Sequence, residues 1–359
     1  MKKVMLMYPN CRWTDGWESK TIWNLHPYNL CLLSATIENK YETRIVDANI
    51  DNLSKEQFTK ILETEKPAIL GISVLTNEYS SSGIIAGDIA KQVNPNIKTI
   101  FGGVHATSNP MSVVQEKNID YVVVGEGENI LGKLCDSITK ETTFPTKGIV
   151  FKKSSEIINL GKADFIEDLD SLPLPSYNKV DFMKYANSIQ RESVDKPRKM
   201  PYANIITSRG CPYKCCFCQA GKISGQKPRL RSIDNVLNEI EWLKKEYGIE
   251  SLMFEDDNLV FDKERAKKLF RGMVDRKFNL KWNAIAMAAY KLDEPLISSM
   301  KESGCEYVDI AIESGVQRVL EDIIHKPLKL EHAIEVAGLL KKYQIDFAAN
   351  FIVGFPGET

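Results

Sequence analysis

Short apolar, β-branched runs recur along the first third of the chain: KKVMLMYP, ETRIVDAN, AILGISVLT, IKTIFGGV and YVVVGEGE, each ended by a polar or glycine-rich turn. Between them lie amphipathic segments of helix length, such as LSKEQFTKILETEK and SSSGIIAGDIAKQV. Strand, helix, strand repeated in this way predicts a Rossmann-like parallel sheet with helices on both faces over residues 1–140. Over 141–200 the pattern changes. GIVFKKSSEIINLG alternates and turns at KKSS, which predicts a hairpin, while DLDSLPLPSYNKVDF and RESVDKPRKMP carry the prolines and turn formers of a linker. From 202 the alternation resumes with strands at ANIITS, LMFED, WNAIAMA, YVDIAIE and FAANFIVG. SIDNVLNEIEWLKKEYG reads as a helix capped by Ser232, with Ile233, Val236, Leu237, Ile240 and Leu243 on one stripe and Gly248 at its end. Further helices are expected from about 262, near 293–303, and in segments through Lys342. Five such alternations over 201–359 predict a partial (β/α) barrel, whose active site belongs at the strand C-termini. There is no internal repeat and no low-complexity tract.

Composition narrows the function classes. Hydrophobic residues make up 43% of the 359 and charged residues 26%, enough apolar material for two cores. Lys plus Arg number 47 against 48 Asp plus Glu, so the net charge of −1 gives no electrostatic case for a nucleic-acid or membrane partner. A basic run, Lys222, Lys227, Arg229 and Arg231, reads either as weak support for RNA or as a solvated loop. The apolar run at the start is cut short by Pro9, too short for a secretory leader, and no stretch approaches the ~20 apolar residues of a membrane span. The expectation is a cytoplasmic protein with reduced thiols.

Candidate chemistry falls at strand ends. In open parallel sheets ligands sit beyond the carboxyl ends of the strands. In the first domain those ends carry Thr76 and Asn77, then Gly102, Gly103, Val104 and His105, then Gly125, Glu126, Gly127 and Glu128. Glycines there either let backbone amides approach a ligand or merely turn the chain. No G-x-G-x-x-G follows the first strand, so a dinucleotide site has no support. In the second domain, RGCPYKCCFCQAG packs four of the eight cysteines into the loop after the first strand. Cys211, Cys215 and Cys218 give C-x3-C-x2-C, a spacing that can wrap one iron–sulfur cubane and leave one iron open to a ligand. Cys216 abuts Cys215 and is the odd one out. Structural zinc wants four ligands, and no second cysteine pair is present to complete such a site. Glu255, Asp256 and Asp257 end the next strand, where carboxylates can accept from hydroxyls or an ammonium, or simply form an acidic turn or helix cap.

The cysteine loop resembles the radical SAM signature, C-x3-C-x-aromatic-C, with Phe217 as the aromatic. FEDDN at 254–258, IAIESG at 310–315 and NFIVGFPGET at 350–359 resemble the second-, fourth- and fifth-strand motifs of the same family. GISVLTNEYSSS, IFGGVHAT and DYVVVGEGE resemble the cobalamin-binding domain that precedes the barrel in cobalamin-dependent radical SAM enzymes. The resemblance implies a 4Fe–4S cluster on Cys211, Cys215 and Cys218. It implies S-adenosylmethionine with Phe217 against the adenine, Glu313 on the ribose, and Glu255, Asp256 and Asp257 at the methionine end. It also implies cobalamin. The D-x-H-x-x-G signature is missing, so the cobalamin is expected to lack a lower histidine ligand and to rest on Thr76, Asn77, Gly102, Gly103, Val104, His105, Gly125, Glu126 and Gly127, with His105 a contact only.

Related sequences carry an arginine roughly where this chain has Met287, and Asn283 is the residue that could take its place at the SAM carboxylate. The implied reaction cleaves SAM reductively to methionine and a 5′-deoxyadenosyl radical, after which methylcobalamin methylates an unactivated carbon of a small molecule. A flavodoxin or ferredoxin is the implied electron donor. The alternative within the class is a cobalamin-dependent radical cyclase or rearrangement. A tRNA methylthiotransferase fits less well, because Cys11, Cys31 and Cys135 do not match the spacing of that group's N-terminal cluster. The family's barrel has a sixth strand, and the sequence ends after the fifth. This raises the non-catalytic alternative of a truncated or partner-dependent cofactor-binding fragment.

Overall fold

The computed structural model describes residues 1–17, 26–140, 142–154, 156–188, 197 and 199–358. Most of the charged, proline-bearing stretch 191–201, and Thr359, lie outside them. The chain divides into two compact units, one of residues 1–167 and 171–181, the other of 168–170 and 182–359.

The first unit is built on a seven-stranded sheet of order β2-β1-β3-β4-β5-β6-β7. Its strands are β1 (Lys3–Tyr8), β2 (Glu42–Asp47), β3 (Ile69–Ser73), β4 (Lys98–Gly102), β5 (Tyr121–Val123), β6 (Ile149–Lys153) and β7 (Glu156–Asn159). β1 to β5 run parallel, as the alternation predicts. Five of β1's six residues are buried, the near-continuous apolar run of a strand covered on both faces. The covering helices are α1 (Tyr28–Ile37), α2 (Lys55–Glu65), α3 (Ser80–Val93), α4 (Val104–Ser108), α5 (Pro110–Gln115) and α6 (Glu128–Lys140). α2 starts at a capping box in which Ser54 and Gln57 satisfy each other's backbone amides. The hairpin expected within 141–200 forms, but it is no connector: β6 pairs antiparallel with β5 and extends the sheet.

The second unit carries a five-stranded parallel sheet in chain order: β8 (Tyr202–Ile205), β11 (Ser251–Phe254), β12 (Lys281–Ala288), β13 (Cys305–Glu313) and β14 (Asp346–Phe351). A separate antiparallel pair, β9 (Ser208–Arg209) and β10 (Arg229–Leu230), closes the base of the cysteine loop. Its helices are α7 (Phe182–Ala186), α8 (Ala220–Ile223), α9 (Ile233–Tyr247), α10 (Lys263–Asp275), α11 (Glu294–Glu302) and α12 (Leu330–Lys342). Ser232 caps α9 by accepting from Asn235 N at 3.2 Å, and Gly248 ends it in the left-handed region. Phe270 of α10 stacks on Trp282 of β12 with centroids 5.0 Å apart, and Phe254 of β11 meets the same indole edge-on at 5.3 Å. The indole N–H, buried with them, donates to Ser303 Oγ at 3.0 Å. This packing fixes β11 and β12 from the helix side, so the acidic end of β11 is held beside the cysteine loop.

Candidate functional site

In the first unit, the ends of β3 and β4 are laced by backbone. Val74 N donates to Gly102 O at 3.0 Å and His105 N to Val74 O at 3.1 Å. Gly103 sits at φ +94°, and a Cβ there would stand 2.6 Å from Val74 O, so this crossing admits only glycine. Gly102 is different. Nothing lies within 4 Å of where its Cβ would be, which leaves an open face at the strand end. Thr76 Oγ1 is buried and makes no hydrogen bond among the described residues. Asn77 Oδ1 lies 2.6 Å from His105 Nδ1, and burial pushes the His105 imidazole below its ordinary value. Val104 is exposed. Thr76, Asn77, Gly102, Gly103, Val104 and His105 thus gather on one rim.

The third strand end is put to other uses. Gly125 N donates to Thr107 Oγ1 at 3.0 Å. Glu126 accepts from Ile166 N at 2.7 Å, and Gly127 O takes the first amides of α6. Glu126 and Gly127, both half-buried, thus also serve the fold.

In the second unit the cysteine loop leaves β9 and returns through β10. Cys211 N donates to Gly225 O at 3.0 Å, and Gly210, at φ +94°, has three carbonyls crowding its missing Cβ. The loop is thus drawn closed at its neck by backbone contacts. Cys211, Cys215 and Cys218 lie near enough for their charges to be felt by one another. Burial pushes the Cys211 and Cys215 thiols up, and the Lys326 ammonium opposes that shift at both. Ala220 N donates to Cys218 Sγ at 3.4 Å. Cys216 is exposed, and its amide donates to Ile324 O at 3.3 Å.

Among the described residues, no three His, Cys, Asp or Glu side chains converge closely enough to hold a single metal ion. A cubane asks for less convergence, because each thiolate ligates a different iron. The other four cysteines are buried within the two cores. Burial pushes Cys135 up to about 12 and raises Cys31 and Cys305 as well, which leaves those thiols unreactive.

The acidic run at the end of β11 splits three ways. Glu255, half-buried, accepts from Asn204 Nδ2 at 2.7 Å. Asp257 Oδ2 accepts from Gly210 N at 2.8 Å, at the mouth of the cysteine loop. Asp256 is 3% exposed, and both its oxygens are engaged by Thr207 and Ser208. Its expected place at the methionine end of SAM is corrected by that burial.

Asn283 is also misplaced by the sequence reading. It is the third residue of the eight-residue β12, 2% exposed, well short of the strand's C-terminal end. Glu313 does end its strand, at φ +74° and beside a register shift against β14, a strained backbone of the kind that accumulates at functional sites. Its carboxylate meets Lys326 Nζ at 2.9 Å, both side chains less than 10% exposed. Lys326 follows a π-helical turn, Val319–Ile324, and His325 at φ +61°. Phe217 is 38% exposed and faces Phe355 with centroids 6.0 Å apart.

Residues 205–359 match the model of the radical SAM superfamily, and residues 23–134 match the B12 binding domain. An uncharacterized methyltransferase from Pyrococcus horikoshii is 30% identical over 335 residues, which cover 93% of this chain and 70% of that protein. The chain belongs to the cobalamin-dependent radical SAM proteins. The cytidylyl-2-hydroxyethylphosphonate methyltransferase of Streptomyces wedmorensis is 29% identical, with 92% of this chain and 66% of that one covered. Among solved structures, the radical S-adenosylmethionine methyltransferase TsrM from Kitasatospora setae, with cobalamin and a 4Fe–4S cluster bound, superposes with a TM-score of 0.78 at 19% identity. That match covers the whole of this chain and 68% of TsrM. The chain thus spans about two thirds of the length of these relatives.

The cofactors of this cobalamin-dependent radical SAM protein are a 4Fe–4S cluster, SAM and cobalamin, and its residues fit them. Three thiols stand on a pre-closed loop, and in the B12-binding unit an orphaned hydroxyl and an uncovered glycine share a rim. Sequence reasoning missed Lys326, Thr207 and Arg265. Thr207 and Arg265 carry no motif, and only tertiary contact reveals them. Arg229 and Arg231 are buried, at 4% and 8%, and held by Ser224 O, Asn235 and Glu239, so only Lys222 and Lys227 of the basic run face solvent. No described helix is long and apolar enough to cross a membrane.

Proposed function

We propose that this chain is the cofactor-binding and catalytic part of an enzyme that transfers a methyl group to an unactivated carbon of a small molecule. The observation that carries this reading is the loop, closed at its neck, that bears Cys211, Cys215 and Cys218 at C-x3-C-x2-C spacing, the first two half-buried and Cys218 exposed. When bound, the cluster supplies the electron that cleaves SAM, and cobalamin supplies the methyl carrier.

The chain's own residues do the positioning. Cys211, Cys215 and Cys218 would hold the cluster through their thiolates. Glu313, aimed by its strained backbone, accepts from the ribose hydroxyls. Glu255 would receive the ammonium end. Phe217, with Phe355 beside it, offers an apolar face to the adenine. On the other unit Thr76 offers its hydroxyl and Gly102 and Gly103 keep the strand ends bare, so that these residues, with Val104 and His105, would hold the cobalamin. The electron comes from a low-potential donor of the flavodoxin or ferredoxin class, and the free thiols suit a reducing, cytoplasmic setting.

Anaerobic reconstitution tests the reading. The wild type should take up about four irons per chain and cleave SAM. Cys211→Ala should lose both, and Cys216→Ala should keep both. A wild type without a cubane signal in electron paramagnetic resonance ends the reading. Labelled methyl from SAM appearing in an acceptor separates methyl transfer from cyclisation.

A further inference from the structure

The two legs of the cysteine loop are tied to a buried ionic group that touches no sulfur. On the outgoing leg, Thr207 donates to Asp256 from its amide at 3.1 and 3.2 Å and from its hydroxyl at 2.7 Å, and Ser208 Oγ donates at 2.5 Å. Arg265, from the first turn of α10, spans both legs: it donates to Thr207 O at 3.0 Å and to Arg231 O at 2.9 Å. A further N–H reaches Thr207 Oγ1 at 3.2 Å. On the returning leg, Arg231 N donates to Thr207 O at 3.1 Å, and its guanidinium pairs with the buried Glu239 at 2.5 Å. Nearer the thiols, Asp257 takes the amide of Gly210 at 2.8 Å, one residue before Cys211.

Asp256 is buried, and its bonds to Thr207 and Ser208 turn it toward the chain rather than toward a ligand. Its effect is to fix the direction in which the chain enters the loop. Partners behind a metal's ligands commonly act in this way, and losing one costs roughly 10–100-fold in metal affinity.

We propose that Asp256, Arg265 and Asp257 are positioning residues that set the cysteine loop in its ligand-presenting shape before iron arrives. This rests on the reading that the loop holds a cluster. Asp256→Asn replaces one oxygen acceptor by a donor facing Thr207 and Ser208. Asp257→Ala removes one bond from a half-buried side chain and leaves the core intact.

The experiment uses the full metal-free chain and a maleimide, with mass spectrometry reading each cysteine. It is followed by titration with ferrous iron and sulfide, and by resonance spectra of the reduced cluster with and without SAM. Cys305, 1% exposed, reports global unfolding. In both variants Cys305 should stay protected, labelling at Cys211 and Cys215 should change at least about threefold, and iron should be held about 10–100-fold more weakly. The cluster that does form should show a broadened spectrum with an altered response to SAM. Variants that keep Cys305 protected and match the wild type in labelling, iron affinity and spectrum overturn the proposal. If Asp256→Asn exposes Cys305, Asp257→Ala alone decides, because its single bond does not hold the fold. A wild type that takes up no cluster while the variants still change the labelling pattern defeats the cluster reading and leaves the positioning role standing.

Discussion

Ion pairs of the first unit lie toward its surface: Lys40 and Lys140 meet Asp136, Lys147 meets Asp164, and Lys3 meets Glu42 and Glu65. Its proposed ligand rim is made of glycines, a threonine hydroxyl and an imidazole. The second unit has exposed pairs too, such as Arg271 with Asp275, but it also keeps charges inside: Arg231 with Glu239, Glu313 with Lys326, and Asp256 and Arg265 both bonded to Thr207. The difference follows from what each rim must do. A broad planar cofactor is received by removing side chains so that backbone can approach it. A loop of thiolates has no shape of its own, and it is held by acceptors and donors that water cannot reach.

The largest expected effect comes from breaking an interior pair. Lys326→Met strands the Glu313 carboxylate below the surface, and loss of one partner of such a pair costs about 3–5 kcal/mol. Denaturant melts should show it, and Lys326→Met/Glu313→Gln should return most of it. A single-variant loss under about 1 kcal/mol would mean that the pair behaves like an exposed one.

Glycine substitutions in the first unit come next. Gly103→Ala forces a side chain into a backbone region that costs about 1–3 kcal/mol and presses on Val74 O. Gly102→Ala meets no neighbour. It should stay within about 0.5 kcal/mol of the wild type in melts and yet retain less cobalamin by absorbance. Equal cobalamin retention in wild type and Gly102→Ala would remove Gly102 from the rim.

The smallest effect is expected at Asp136. Lys140 first, and then Tyr41, hold its carboxyl down at about 2. A carboxyl depressed on folding contributes fully above its unfolded value, near ~3.9, and the contribution is lost as pH falls through about 2. Solvent screening keeps Asp136→Asn under about 1 kcal/mol at neutral pH. Melts of variant and wild type should converge as acid protonates the carboxylate. A gap that persists at the lowest pH would point to packing rather than charge.

Much of this was legible in the sequence because it is local. The caps of α9 and the strand–helix alternation are short-range patterns, and each formed as read. The errors are all non-local. Asp256 reads like its neighbours until burial shows it facing Thr207 and Ser208, nearly fifty residues away in sequence. Asn283 is read as the stand-in for the arginine expected at Met287, yet it lies two residues after the strand's start and is buried. Glu239 lies on the apolar face of α9, a violation of its amphipathic pattern that only Arg231 explains. Lys326 sits in HKPLK, where a lysine before proline reads as surface loop.

The hairpin that lengthens the first sheet also bears on how copies of that sheet would meet. β7 is four residues long, with Glu156 and Asn159 exposed at its ends, and the opposite rim strand, β2, exposes Glu42 and Arg44. Brief, charged outer strands are poor templates for a neighbouring polypeptide. Crowded or heated solutions should therefore lose this unit by unfolding before it can stack edge to edge into fibres.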